Sequence, residues 1–307
     1  MTRYAVQRLL VTIPTIFAVT ILVFLMLQLV PGDPAEIFLG EHQSSPELLE
    51  QVRHDMGLDR PLHIQYLSYV WNALRGDLGN SLFNNQPVAG QILDALPSTL
   101  ELSLTSMAIS TLLGVSLGIL AALKHNTWVD SLSMGLALVG VSMPVFWLGL
   151  LMIFFFSVRL KWFPPMGHGD LKRLVLPAFA LGLLSSATLA RLVRSSMLEV
   201  MNEDYVRTAR AKGLSEKRVI IRHALRNALI PAVTVLGLQF GRLLSGAVLT
   251  ETIFARLGLG RMYVESILNK DITLIQGLTL MLAISIMVSN ILVDISYAVL
   301  DPRIRYE

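Results

Sequence analysis

The 307-residue sequence contains no cysteine, which excludes disulfides and thiolate metal sites. Charge is scarce: Asp, Glu, Lys and Arg make up 15% of the chain, against roughly 25% in a soluble globular protein. No Gly-x-x-x-x-Gly-Lys-Ser/Thr loop occurs, so the sequence offers no phosphate cradle of that kind. His42, His54, His63, His125, His168 and His223 are scattered, with no pair at the i, i+4 spacing of metal ligands, and no Ser/His/Asp set stands out. The chain is therefore read as non-catalytic, with no metal site and no cofactor of its own. There is no polybasic tail and no interleaving of basic and aromatic residues, and the net charge is only +3. That argues against nucleic acid as a partner.

What is abundant is apolar sequence, at 53% of residues with a mean hydropathy of +0.60. About 20 apolar residues in a helix cross a bilayer core. Six runs reach that length, at 9–30, 101–123, 131–158, 174–195, 227–250 and 272–300, the fifth interrupted by Arg242 and the sixth by Asp294. A large soluble protein can bury one such helix. Six in 307 residues leave too little polar sequence to cover them. The first run is longer than a typical signal core, and Pro31-Gly-Asp-Pro34 follows it without a small-residue cleavage pattern, so it reads as a retained span. The expected fold class is an all-α integral membrane protein with about six transmembrane helices.

Basic residues place the loops. The segment from Arg191 to Arg226 holds nine Lys/Arg against four acidic residues, whereas 31–97 holds three basic and nine acidic ones. Arg3 and Arg8 precede the first span, and Arg303 and Arg305 close the chain. By the positive-inside rule both termini are cytoplasmic. The cluster Arg159, Lys161, Lys172 and Arg173 is a smaller counter-signal.

The cytoplasmic segment 199–226 has an internal pattern. Asn202 or Asp204 can cap a short helix over Tyr205–Lys212, Gly213 suits the left-handed position that ends it, and Ser215 can cap a second helix. Small residues (Thr208, Ala209, Ala211) alternate with cations (Arg207, Arg210, Lys212). Two readings fit: docking into a groove on a protein partner, or a basic loop on anionic lipid. Ala209-x-x-x-Gly213 resembles the EAA loop of ABC importer permeases. Arg207-Thr-Ala-Arg-Ala-Lys-Gly213 with His223-Ala-Leu-Arg-Asn-Ala-Leu-Ile-Pro231 resembles, more narrowly, the dipeptide, oligopeptide, glutathione and nickel branch. Leu29-Val-Pro-Gly-Asp-Pro34, Gly57–Leu62, Gly76-Asp-Leu-Gly-Asn-Ser81, Gly258-Leu-Gly-Arg261 and Asp301-Pro-Arg-Ile-Arg305 are similar to that branch too, and together they cover nearly the whole chain. The general pattern begins with glutamate and has its proline closer to the glycine. Here Arg207 and Thr208 hold the first positions, so no mechanism relying on the family glutamate applies.

The resemblance implies a type I ABC importer permease fold, a single permease domain with a cytoplasmic coupling helix, in a bacterial inner membrane. It implies a second homologous permease, two ATP-binding subunits that carry ATP and Mg, and an extracytoplasmic substrate-binding protein. The expected cargo is a small peptide or glutathione. A nickel-importing permease of the same family and an ion-coupled secondary transporter are the alternatives. The docking residues it implies are Arg207, Thr208, Ala209, Arg210, Ala211, Lys212, Gly213 and Leu214. The segment 31–97, with helical spacing at 47–56 and 62–74, is expected to form an outer helical cap facing the binding protein or the partner permease.

Two charges fall inside the spans, Arg242 and Asp294, and are candidates either for pairing along a pathway or for reaching the interface from span ends. Gln239, Ser245 and Thr250 are candidates for lining a pathway or stitching helices together. Gly114 and Gly118 form a small-x-x-x-small pattern suited to close helix packing.

Overall fold

In a computed structural model, residues 2–29, 34–39 and 46–300 are described. Side-chain surroundings are described for these except at 2–11, 27, 29, 34, 37, 38, 55, 141, 245, 246 and 292–300. The helices are α1 (Thr2–Leu29), α2 (Pro34–Leu39), α3 (Pro46–Asp55), α4 (Leu62–Leu74) and α5 (Val88–Leu123). Next come α6 (Trp128–Ser142), α7 (Val145–Arg159, π-helical over Ile153–Arg159), α8 (Leu171–Met201), α9 (Asp204–Ala211) and α10 (Glu216–Ala228, π-helical over Val219–Ala224). The last are α11 (Ile230–Ile253), α12 (Leu259–Leu268) and α13 (Ile272–Leu300). Among the described residues no strand forms beyond an isolated bridge between Asn80 and Pro87.

Three helices, α5, α8 and α13, are each long and apolar enough to cross a bilayer. The bent pairs α6–α7 and α10–α11 are each long and apolar enough when the two helices are taken together, as a broken span or a re-entrant loop, and α1 adds the apolar stretch Thr12–Met26. The run expected at 131–158 divides at Met143–Pro144. Proline lacks the N–H that would continue the ladder and forces the residue before it toward extended backbone. Met143 accordingly sits at φ −97°, ψ 131°. The run expected to start at 101 starts as a helix at Val88. Asp94 and Glu101 interrupt the apolar run without interrupting the helix, because backbone hydrogen bonding is indifferent to side-chain charge. Segment 31–97 accordingly holds α2, α3, α4 and the first turns of α5.

The chain folds as two compact units. The first comprises Thr99–Arg256 and the end of α13 from Val288. Its centre is α8, 61% of whose apolar window is buried, against 33% for α5. Helix α8 packs against α6, α7 and α11. It meets α5 through glycine: a Cβ on Gly114 would lie 2.8 Å from the Ser186 carbonyl, and one on Gly118 would lie 2.7 Å from that of Ala190. Gly182 of α8 returns the fit, its Cβ position 2.8 Å from the Ser106 carbonyl. Leu102, Leu174, Ala178, Leu181, Leu243 and Ala247 then close a core among α5, α8 and α11. The start of α6 is clamped to α8, with Arg194 donating from Nε to Asp130 Oδ1 and from Nη2 to Oδ2, each at 2.7 Å. Such forked pairing is the strong form of the arginine–carboxylate bond.

The second unit comprises Thr2–Ser98 and Leu257–Met287. Helix α4 lies against α1, with Tyr66 edge-on to Phe17 and Phe24 and its hydroxyl 2.9 Å from Thr20 Oγ1. Val88, Ile92, Ala95, Leu259, Leu274 and Leu278 form the core where α5 begins beside α12 and α13. Asp271, buried, caps α13 by accepting from Leu274 N–H at 3.2 Å. The same carboxylate accepts from the Ser81 hydroxyl and from Leu82 N–H, so it also holds the 79–88 loop. Asp271→Ala would leave a helix start and two loop donors unsatisfied. The expected destabilisation is about 3 kcal/mol, measured as a lowered melting temperature of the purified protein. An unchanged melting temperature would show that the cap carries no weight.

Candidate docking site

The strongest pattern in the sequence, 204–214, folds as a short helix ended by a glycine turn. Asp204–Ala211 form α9, and Gly213 sits at φ +76°. Gly213 N–H donates to the Arg210 carbonyl at 2.9 Å and Leu214 N–H to that of Ala209 at 3.4 Å. These are the two bonds of a Schellman ending, which requires a left-handed residue at Gly213. The apolar contact that accompanies such an ending is present, with Leu214 packed on the cluster of Val206, Ala209 and Val219. A Cβ on Gly213 would meet nothing within 4 Å. The requirement for glycine is therefore conformational.

Gly213 apart, the structure divides the other seven expected docking residues into two sets. Arg207, Thr208, Ala211 and Lys212 are exposed, and with Asp204 they occupy one side of α9 at i, i+3, i+4, i+7 and i+8. Ala209 is 5% exposed and faces inward. Its small size serves packing within this chain, because the face of α9 that carries Val206 and Ala209 is pressed against Val219 of α10. Leu214 is half-buried on the same cluster. Arg210 also acts within the chain, donating to Glu216 Oε1 at 2.7 Å and to the Met201 carbonyl at 3.4 Å. It thereby ties α9 to the start of α10 and the end of α8. The Arg210 guanidinium, by hydrogen bonding, holds the Glu216 carboxyl below its usual range. Tyr205 adds a second tie, its hydroxyl accepting from Asn227 Nδ2 at 2.8 Å. Helix α9 is thus braced from several directions while one polar, small-residue face points outward.

The expected pathway residues lie elsewhere. Gln239 is buried and its Nε2 donates to Ser110 Oγ at 3.1 Å, a link between α11 and α5. Arg242 is exposed on α11. Asp294 lies in α13 and Ser245 in α11, both outside the residues whose side chains are described. The structure brings forward charges that span-counting passed over. Glu251 at the end of α11 is fully buried and accepts from Thr99 Oγ1 at 2.7 Å. Arg256 is buried and its Nη2 donates to Glu101 Oε2 at 2.8 Å. Glu101 is half-exposed. These residues flank apolar runs, where charges ordinarily reach water, so nothing in the one-dimensional pattern marked them as buried. Glu101→Ala would strip a carboxylate from a buried guanidinium. Because Glu101 is half-exposed, the expected cost is about 2 kcal/mol, below that of breaking a fully buried pair. Adding Arg256→Leu should recover much of the loss, and a double variant no more stable than the single one would refute that pairing.

The family model of the binding-protein-dependent transport system inner membrane component matches residues 114–306. The model for the N-terminal part of such membrane components matches residues 1–104. The glutathione transport system permease protein GsiC of Escherichia coli (strain K12) is 44% identical over 307 residues, covering all of both chains. The di/tripeptide transport system permease protein DppB of Pseudomonas aeruginosa (strain UCBPP-PA14) is 44% identical over an alignment of 335 residues, again covering both chains. Among solved structures, a chain of the MetNI methionine ABC transporter in an inward-facing conformation superposes with a TM-score of 0.60 at 17% identity. That superposition covers 69% of this chain and 96% of the other, and it establishes the shared fold. By the family models, the full-length relatives and the helical architecture together, the chain belongs to the inner-membrane component family of binding-protein-dependent transport systems.

Proposed function

We propose that this protein is the channel-forming subunit of an ATP-driven importer of small peptides, glutathione and di- or tripeptides being the expected cargo. The observation that carries the reading is full-length identity of 44% to both a glutathione and a di/tripeptide permease protein. The outward face of α9 gives that reading a mechanism. An ATP-binding subunit whose cleft receives Arg207, Thr208, Ala211 and Lys212 would move α9 as it closes. Arg210, Tyr205 and the Val206–Ala209–Val219 cluster bind α9 to α8 and α10, so the motion passes into membrane helices instead of being absorbed in a loose loop. Gly213 keeps that lever short and rigid.

In this reading ATP and Mg bind to the partner subunits and this chain performs no catalysis. Both termini are cytoplasmic, a second permease completes the pathway, and an external binding protein selects the cargo. Gln239, Arg242 and Asp294 remain the pathway candidates, with Arg242 and Asp294 tested for pairing by a double charge swap. Purification of the tagged chain from its own membrane in mild detergent tests the assembly. A second permease and ATP-binding subunits are expected in stoichiometric amounts by mass spectrometry. Recovery of this chain alone, with uptake that follows an ion gradient, would reject the importer reading and favour a secondary transporter.

A further inference from the structure

Helix α10 carries Lys217, Arg218, Arg222 and Arg226, and all four are exposed. Arg218, Arg222 and Arg226 recur every four residues, about one turn, and so line up along one side of the helix. Ile221, 55% exposed, stands among them. The neighbouring cations are already paired within the chain: Arg207 with Asp204, Arg210 with Glu216, and Arg194 with Asp130. Among the described residues, no carboxylate lies within ion-pair distance of the four cations on α10. The row from Arg218 to Arg226 spans about 12 Å.

Its placement restricts what it can meet. Helix α10 runs directly into the membrane helix α11 through a bend of 45°. Arg226 lies one turn before Ile230, where α11 begins. Arg222 and Arg226 thus lie within about two turns of the start of that span. Guanidinium forks match the oxygens of a phosphodiester, and an apolar residue between cations suits the boundary between headgroups and acyl chains. We propose that Arg218, Arg222 and Arg226 form a binding stripe for anionic phospholipid headgroups in the leaflet from which α11 starts. Helix α9 and α10 thus divide the segment's two roles, α9 facing the protein partner and α10 facing the lipid.

The proposal needs α10 to adjoin the membrane and depends neither on the cargo nor on docking by α9. Its test uses the intact complex with its native partners, reconstituted in nanodiscs of phosphatidylcholine mixed with phosphatidylglycerol. Retained lipid is counted by native mass spectrometry. The wild-type complex should retain phosphatidylglycerol over phosphatidylcholine, with a preference that falls as salt is raised. The triple variant R218Q/R222Q/R226Q should lose that preference roughly tenfold, while the triple lysine variant keeps most of it. Equal retention of the two lipids by the wild type at low salt would overturn the proposal without any variant being made. So would a glutamine variant that retains phosphatidylglycerol as the wild type does. If that variant sheds the ATP-binding subunits but keeps the lipid, the stripe serves a protein partner and the lipid assignment fails.

Discussion

A tryptophan at Ala211 is expected to strip the ATP-binding subunits from the complex while leaving this chain folded. Ala211 is exposed on α9, beside Thr208 and Arg207. A bulky ring there blocks close approach of any groove shaped for a small residue. Central interface positions commonly contribute about 2–3 kcal/mol, so association should weaken roughly 30- to 150-fold. Ala209→Trp provides the contrast. Ala209 is buried against Val206 and Val219, so a large side chain there pushes α9 away from α10 and lowers the stability of the chain itself by about 3 kcal/mol. Both variants should abolish transport, but only Ala209→Trp should lower the melting temperature of the isolated permease. Co-purification and thermal unfolding separate the two. An Ala211→Trp complex that keeps its ATP-binding subunits in full would show that the outward face of α9 is not the docking surface.

Gly118→Val is expected to prevent the first unit from assembling. The Cβ position of Gly118 lies 2.7 Å from both the Ala190 carbonyl and Val193 Cβ. Backbone at that distance cannot yield as a flexible side chain can, so α5 and α8 must separate. Without a hydrophobic drive between helices in lipid, close packing is what holds them, and separation forfeits it along the whole contact. Gly114 and Gly182 sit on the same contact and would lose their fit with it. The cost expected is about 3 kcal/mol or more, seen as low membrane yield and a collapsed melting transition. Gly135, whose added Cβ would meet nothing within 4 Å, is the control. A Gly118→Val protein as stable as a Gly135→Ala protein would refute the role assigned to this contact.

Composition and periodicity carried the reading a long way where the physics is local. Uncharged runs near bilayer thickness identify membrane helices because lipid offers no partner for an unpaired backbone. Gly213 was legible because a left-handed helix ending favours glycine over other residues. The short helix before it, with its alternation of cations and small residues, was legible for the same local reasons. Gly114 and Gly118 could be assigned to packing from their four-residue spacing alone.

Which face of each helix meets what is not a local property, and there the sequence alone was insufficient. Ala209 and Ala211 are the same residue two positions apart, and only the packing of α9 on α8 and α10 turns one inward and the other out. Arg210 looks like Arg207 in sequence, yet Glu216 and the Met201 carbonyl hold it inside the chain. The buried charges Glu251 and Arg256 meet Thr99 and Glu101 from 152 and 155 residues away. No spacing rule spans such separations. The sequence by itself determined the apolar membrane helices and the short glycine-ended helix at 204–213, because helix length, pairing of backbone polar groups and left-handed turns are decided by neighbours in the chain. The tertiary structure alone decided which small residues and which cations point outward and which are held within the chain, because that depends on where helices distant in sequence come to rest against one another.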